Sequence, residues 1–290
     1  MLRGRLGLET ARVPHGDRHG LLWLSFGNLT VDDGCLRFTA AGGHDLAAGD
    51  YQIPHQTLSL ILLGPGTTIS QDALRLCARH GTGVVAVGDG GVRMYSAPPL
   101  GPDQSQAARA QVRLWSDLNG GRMLVARNMY ALRFGEMLPA TDIEALRGIE
   151  GGRVKESYRR IAQQFGIPWQ GRRYDRNDPE GADAPNQAIN HAATAVEAAA
   201  MIAVAATGTI PALGFIHEDS GMSWILDIAD LARADTTIPV AFAAVKAASA
   251  DPSVPLERHV RRCANAAFRK QALIPRFIDN IHHLLDLPTT

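Results

Sequence analysis

The signals for β-strands are confined to the first third of the chain, and this asymmetry limits the folds open to it. Short apolar segments separated by glycine-rich turns lie at 21–31, 35–40, 57–64, 83–88 and 92–96, with a helical pattern at 70–81. Beyond residue 104 apolar residues recur with the helical period. The sequence therefore predicts an α+β protein, in which a small β-rich N-terminal domain precedes a larger all-α domain.

A segment rich in proline and glycine separates the two parts. Residues 96–104 (SAPPLGPDQ) are typical of a linker, so we expect a β-rich domain over 1–95 and a helical domain over 105–290. The helix at 142–165 is expected to start with a capping box of Thr141 and Glu144 and to stop at Gly166. Other helices are expected at 104–135 with a break near Gly120, and at 186–207, 224–234, 239–248, 256–271 and 275–285.

Charge and length exclude some classes of protein. The 290 residues suffice for about two domains. The 29 basic residues equal the 29 acidic ones, so the chain is not basic throughout, as a histone is. Nucleic-acid binding needs only a local basic face and stays open. All but three of the basic residues are arginines, which suits phosphate binding but also fits codon bias in a GC-rich genome.

Cysteine spacing and hydropathy argue against disulfide-rich, zinc-ribbon, secreted and membrane-spanning proteins. Cys35, Cys77 and Cys263 lie far apart and form no CxxC pair, which argues against a zinc ribbon or a disulfide framework. The first twenty residues hold no apolar core of signal-peptide length. The most apolar run, 192–207, is interrupted by Glu197 and is expected to be too short to cross a membrane. A cytoplasmic protein with no membrane partner is expected.

Acidic residues and a histidine in the helical part are the best candidates for chemistry. GxSxG, GxxxxGK[ST] and HExxH are missing from the sequence. Asp227 and Asp230, in WILDIADLA, lie three residues apart and share a helix face. His217 lies just upstream, and Glu150 lies mid-helix beside glycines. Carboxylates with an imidazole are ligands that suit Mg²⁺ or Mn²⁺.

Each of these residues also has a plain structural interpretation. An acidic pair at this spacing is more often a solvated helix face or an arginine partner. Glu150 alone is more often half of a salt bridge, here with Arg147 or Arg153. His217 alone is more often a hydrogen-bonded structural histidine. The basic stripe of Arg258, Arg261 and Arg262 is either a phosphate-binding face or a solvated helix surface.

Several motifs together resemble one protein family. LRGIEGGRV, GRRYD, PALGFIHE and LDIADL occur in that order, and LLWLSFGNLTVDDG, LSLILLGPGTTIS and MYALRFGE extend the likeness over nearly the whole chain. The set resembles the CRISPR-associated integrase, the catalytic subunit of the spacer-acquisition complex, in its type I-E form. The resemblance implies a β-sandwich-like N-terminal domain for dimerisation and prespacer ends, and a helical, metal-dependent catalytic domain.

The resemblance also implies the site and the partners. Glu150, His217 and Asp230 match the family's ligands for a divalent cation, Mg²⁺ or Mn²⁺, and Asp227 matches a further acidic residue needed for activity. The implied reaction is transesterification, in which 3′-hydroxyl ends of prespacer DNA attack the repeat array. The implied partners are a second copy in a homodimer, a small ferredoxin-like adaptation subunit, and double-stranded prespacer and repeat DNA.

Further positions match residues that lie near DNA in the family. Phe26 stands where relatives carry a tyrosine stacked on the end of the prespacer duplex, although strand alternation alone places it in a core. Leu226 and Pro179 stand at positions where relatives carry aromatic residues. These differences affect the expected recognition of the prespacer end. The matched positions near DNA are Phe26, Arg93, Arg147, Tyr174, Arg233, Arg258 and Arg261.

Three functions remain to be compared. The first is a metal-dependent DNA endonuclease and integrase. The second is a catalytically idle, DNA-binding scaffold subunit, which the intact acidic and histidine set argues against. The third is a metal-dependent phosphohydrolase for small molecules, which the arginine stripes and the missing nucleotide-binding loop argue against.

Overall fold

The structure, a computed structural model, describes residues 20–43, 46–96, 105–138, 142–173 and 182–287. Its strands all precede residue 97, which confirms the α+β class. They are β1 (Gly20–Leu24), β2 (Gly27–Asp32), β3 (Cys35–Ala40), β4 (Gly49–Ile53), β5 (Leu58–Leu63), β6 (Thr67–Ile69), β7 (Gly83–Val87) and β8 (Met94–Ser96). Helix α1 (Gln71–His80) lies among them. Of the expected linker, residues 97–104 lie outside the described part, so the domain boundaries stay predictions.

Two four-stranded sheets form this part. The first has the order β1-β5-β7-β8, with parallel pairs except for β7 and β8. The second has the order β4-β3-β2-β6. Residues 21–31 were expected as one strand, but the chain changes sheet at Ser25 and Phe26, where Phe26 adopts a φ of 55°. Strands β4 and β6 were not expected, because both are short and carry few apolar residues.

Alternation along β5 explains how the sheets join the helices. Successive side chains of a strand point to opposite faces. Leu60 and Leu62 pack into the core of the helical part, whereas Ile61 and Leu63 pack into a core shared by both sheets and α1. Because β5 is buried on both faces, the first sheet belongs to both cores.

The rest of the described chain is helical. The helices are α2 (Gln106–Ser116), α3 (Gly121–Phe134), α4 (Ile143–Phe165), α5 (Ala184–Thr207), α6 (Ser223–Asp230), α7 (Ile238–Ala250), α8 (Leu256–Gln271) and α9 (Leu273–Leu284). The break near Gly120 and the stop at Gly166 are confirmed, and both glycines have a positive φ. The capping box is wrong at its first residue: the N-cap of α4 is Asp142, which accepts the Ala145 N–H at 2.8 Å, and Thr141 lies outside the described residues.

Helix α5 is the centre of the helical part. It packs against α6, α7, α8 and α9. Its 24 residues, of which the run 192–207 is the C-terminal part, are long and apolar enough to cross a membrane by length and composition alone, so the expectation that no segment is long enough is wrong. However, 61% of its most apolar window is buried inside the fold. The helix is therefore apolar because it packs on four other helices.

Candidate active site and nucleic-acid cleft

Asp227, on α6, fastens the loop that precedes this helix. Its side chain is fully buried. Its Oδ2 accepts the backbone N–H groups of Phe215 at 2.6 Å and Ile216 at 3.1 Å, and its Oδ1 accepts the N–H of His217 at 3.0 Å. Burying a carboxylate is costly unless it is hydrogen-bonded, and these donors supply that compensation. Asp227 is thus a structural anchor for residues 215–217.

The same carboxylate orients the ring of His217. Its Nδ1 lies 2.7 Å from Asp227 Oδ1. A carboxylate can only accept, so Nδ1 carries the proton and Nε2 is the nitrogen available to a ligand. The hydrogen bond to Asp227 raises the pKa of His217, burial opposes this, and the negative charge of Asp230 adds to the rise.

Glu150 and Asp230 meet at Arg133, near the end of α3. Arg133 Nη1 donates to Glu150 Oε1 and lies 3.8 Å from Asp230 Oδ2. Tyr130 donates its hydroxyl to Glu150 Oε2 at 2.7 Å. Burial, followed by this hydrogen bond, raises the pKa of Tyr130, so the phenol stays protonated.

Arg233, just beyond α6, is the second cation on Asp230. Its Nε donates to Asp230 Oδ1 at 3.1 Å. Burial lowers the pKa of Arg233, but Asp230 and Tyr158 outweigh this and raise it overall. Glu197, on α5, is affected by the charges of Asp230 and Arg233. Burial is the main cause that raises the pKa of its carboxyl, the negative charge of Asp230 adds to the rise, and the positive charge of Arg233 opposes it.

These residues fit a divalent cation by their chemistry. Two carboxylates supply hard oxygen donors, and an imidazole with a fixed tautomer adds a nitrogen donor. Among the described residues, however, no three His, Cys, Asp or Glu side chains are grouped closely enough to hold a metal. In this conformation a guanidinium lies between Glu150 and Asp230.

A second feature is a cleft of about 780 Å³ between the β-rich part and α8. Phe26, Trp23 and Tyr95 line it from one side. Phe26 is 52% exposed, and its N–H donates to the Pro65 carbonyl at 2.9 Å. Gly66 lets its ring approach, because a Cβ there would lie 2.7 Å from the Phe26 ring. The placement of Phe26 in a core, which alternation favoured, is therefore wrong.

Arginines also line the cleft, four of them on α8 and Arg93 on the β-rich part. They are Arg93, Arg258, Arg261, Arg262 and Arg269. Glu257 neutralises part of this charge: it lies 2.6 Å from Arg93 and 4.0 Å from Arg261. The hydrogen bond from Arg93 holds the pKa of Glu257 below its ordinary value. Burial opposes this effect, and the positive charge of Arg261 adds to it. The basic stripe of α8 therefore has one carboxylate beside it.

The structure thus divides the predicted DNA-binding residues into two groups. Phe26, Arg93, Arg258 and Arg261 line the cleft. Arg147 and Arg233 lie at the acidic cluster, which consists of Glu150, Asp227 and Asp230 with His217. Arg147 donates to the Ile216 carbonyl, next to His217, and Arg233 binds Asp230. Tyr174 and Pro179 lie outside the described residues.

The expected salt-bridge partners of Glu150 are wrong. Arg147 pairs with Glu144 at 2.5 Å, and Arg153 pairs with Glu136 at 2.5 Å. Sequence reasoning missed the partners that the fold supplies. Tyr130 and Arg133 are three residues apart and share a face of α3, which was the available signal. Spacing within one helix cannot identify a partner on another helix.

Comparison with known proteins identifies the family. No protein-family model matches the chain. The CRISPR-associated endonuclease Cas1 of Escherichia coli K12 is 37% identical over 274 residues, which cover 94% of this chain and 87% of that protein. This chain belongs to the CRISPR-associated endonuclease Cas1 family. The match confirms the family resemblance and agrees with its type I-E form.

Other relatives support membership of the Cas1 family. CRISPR-associated endonuclease Cas1 2 of Thermus thermophilus is 39% identical over 234 residues, covering 80% of this chain and 70% of that protein. The crystal structure of a TtCas1–DNA complex superposes with a TM-score of 0.82 at 33% identity, covering 94% of this chain and 99% of that one. A casposase bound to its integration product shares the fold, with a TM-score of 0.60 at 14% identity over 92% of this chain and 96% of its own.

Proposed function

We propose that this chain is a metal-dependent DNA endonuclease and integrase that joins the 3′-hydroxyl ends of prespacer DNA into a CRISPR repeat array. The observation that carries the proposal is the meeting of Glu150 and Asp230 at one buried guanidinium, with His217 held nearby by Asp227. Three separate elements supply these groups: α4, α6 and the loop before α6. In a chain of the Cas1 family, this arrangement favours phosphodiester chemistry over a scaffold role.

Glu150, His217 and Asp230 would hold the cation, Mg²⁺ or Mn²⁺, which when bound polarises a phosphodiester and offsets its charge. Asp227 keeps the ring of His217 in the tautomer that presents Nε2. Both oxygens of Asp227 are already taken by N–H donors, so we assign it the positioning of His217. Arg147 and Arg233, beside the site, are placed to offset negative charge on a phosphate.

The cleft is the proposed DNA-binding surface. Arginines bind phosphates with paired hydrogen bonds, and exposed aromatic rings stack on bases. Phe26 is half exposed and held by backbone hydrogen bonds, which suits a ring that caps the end of a duplex. A structural relative that is named as a DNA complex supports the proposal.

The assembly follows from the same proposal. The working unit is a homodimer that associates with a small ferredoxin-like adaptation subunit, in the cytoplasm where the repeat array lies. Light scattering on the purified chain, alone and with that subunit, tests both associations. A monomer that does not bind the subunit would contradict this part of the proposal.

One joining assay tests the function. Wild type, Asp230→Ala and Asp235→Ala are each incubated with the adaptation subunit, prespacer DNA, a supercoiled repeat plasmid and Mn²⁺. Asp235 is the matched control, because it lies five residues beyond Asp230 and pairs with Arg276 at 2.9 Å. We expect covalent joining by wild type and Asp235→Ala, and none by Asp230→Ala, with DNA binding nearly unchanged. Joining by Asp230→Ala at the wild-type rate would refute the site.

A further inference from the structure

Arg133 is buried at the centre of the acidic cluster. Its side chain is only 4% exposed. Nη1 donates to Glu150 and lies 3.8 Å from Asp230 Oδ2, so one nitrogen serves both carboxylates. Two carboxylates that share a poorly solvated site repel each other unless a cation balances them. Arg133 supplies that cation within the fold.

The remaining nitrogens of Arg133 find no acceptor within the described part of the chain. Nε and Nη2 are buried and have no hydrogen-bond partner in the described residues. The guanidinium lies 5.3 Å from the centre of the Phe134 ring, which stacks with Tyr130. A buried guanidinium with unused donors is costly. Its position is therefore maintained by the charge of Glu150 and Asp230 and by the aromatic face.

We propose that Arg133 is an internal counter-cation, which holds Glu150 and Asp230 together in the metal-free protein and competes with the divalent ion for the same oxygens. The inference rests on the proposed function, because it concerns the same site. A divalent cation bound by both carboxylates would lie beside the guanidinium, and the repulsion between the two positive charges opposes its binding unless Nη1 moves away from Glu150. Arg133 therefore lowers the affinity for the ion while it stabilises the empty site.

Arg133→Gln tests this, with Arg153→Gln as matched control. Both arginines lie over the Phe134 ring, at 5.3 Å and 5.2 Å, but Arg153 pairs with Glu136, away from the site. The readouts are Mn²⁺ affinity by calorimetry and thermal unfolding in EDTA. In Arg133→Gln, Mn²⁺ no longer competes with the charge-assisted hydrogen bond from Arg133 to Glu150, so Mn²⁺ should bind about tenfold more tightly. Arg133→Gln should also unfold at a lower temperature without metal, and Arg153→Gln should change neither readout.

Two further variants keep the test decisive. Arg133→Lys retains the charge and should bind Mn²⁺ as weakly as wild type. Arg133→Gln with Glu150→Gln removes the cation and one carboxylate together, and should regain metal-free stability relative to Arg133→Gln alone. The inference is overturned if Arg133→Gln binds Mn²⁺ no more tightly than wild type, or if the double variant regains no stability.

Failure of the inference and failure of the proposed function give different results. If Mn²⁺ binds wild type and Arg133→Gln equally and joining proceeds, only the role of Arg133 is wrong. If Mn²⁺ binds neither wild type nor Arg133→Gln, the metal site of the proposed function is wrong, and the proposed competition between Arg133 and the metal ion is wrong as well. The EDTA comparison then still decides whether Arg133 stabilises the carboxylate pair.

Discussion

Replacing Asp227 by asparagine removes its charge and one of its two acceptor oxygens without creating a cavity, because the two side chains are nearly the same size. Each carboxylate oxygen accepts two hydrogen bonds: Oδ2 from the N–H groups of Phe215 and Ile216, and Oδ1 from the N–H and ring of His217. Asparagine keeps one acceptor oxygen and turns an NH₂ group toward two donors. Two of the four hydrogen bonds are therefore lost.

The size of the loss follows from these contacts. A hydrogen bond to a charged group contributes about 1.5–3 kcal/mol, so losing two costs about 3–6 kcal/mol of unfolding free energy. At about 2 °C per kcal/mol for a chain of this size, the melting temperature should fall by roughly 6–12 °C. The pKa of His217 should also fall toward its ordinary value, because the hydrogen bond to Asp227 is the main cause of its rise.

Thermal unfolding in EDTA, with Asp230→Asn as the control, checks the reasoning. The hydrogen bonds described for Asp230 come from the Arg233 side chain and fasten no backbone, and asparagine retains an acceptor for them. Asp230→Asn should therefore melt closer to wild type, although both variants should lose joining activity. The reasoning is refuted if Asp227→Asn melts within about 2 °C of wild type, less than the loss of one such hydrogen bond, or if both variants melt together.

Two predictions concern the cleft. Phe26→Ala should weaken binding to splayed-end prespacer by roughly tenfold, because stacking on a base contributes about 1–3 kcal/mol, and should barely affect a fully paired duplex. A large drop in the melting temperature of Phe26→Ala, together with equal binding to the two DNAs, would contradict this prediction. Binding of duplex DNA should weaken with salt at a log–log slope steeper than about −3, and Arg258→Gln with Arg261→Gln should make it shallower. A slope near zero for wild type would mean that these arginines are solvated surface.

The sequence by itself determined the α+β class, with strands before helices, and the family. Helical period and left-handed glycines depend on residues close in the chain, so the break near Gly120 and the stop at Gly166 could be predicted. Motif order identified a Cas1-like chain. It also singled out Glu150, His217, Asp227 and Asp230, whose roles in metal binding and catalysis stay predictions.

The local sequence pattern did not predict the strands correctly where contacts between residues far apart in the sequence decide the conformation. The run at 21–31 is mostly apolar, which favours one continuous strand. Phe26 leaves that strand, and its backbone N–H donates to the Pro65 carbonyl, in a loop distant in the sequence. Strands β4 and β6 form because neighbouring strands supply hydrogen-bond partners, although each is too short to give a clear alternating pattern of its own.

Tertiary structure alone decided what each acidic residue does. Asp227 and Asp230 are equivalent by spacing, but the loop at 215–217 turns its N–H groups onto Asp227. Asp230 is instead reached by Arg133 from α3 and by Arg233, three residues further along its own segment. Glu150 has arginines at favourable spacing on its own helix, yet it pairs with Arg133 on α3. A charge in a poorly solvated site pairs with the nearest cation in space, and the packing of α3 against α4 sets which cation that is.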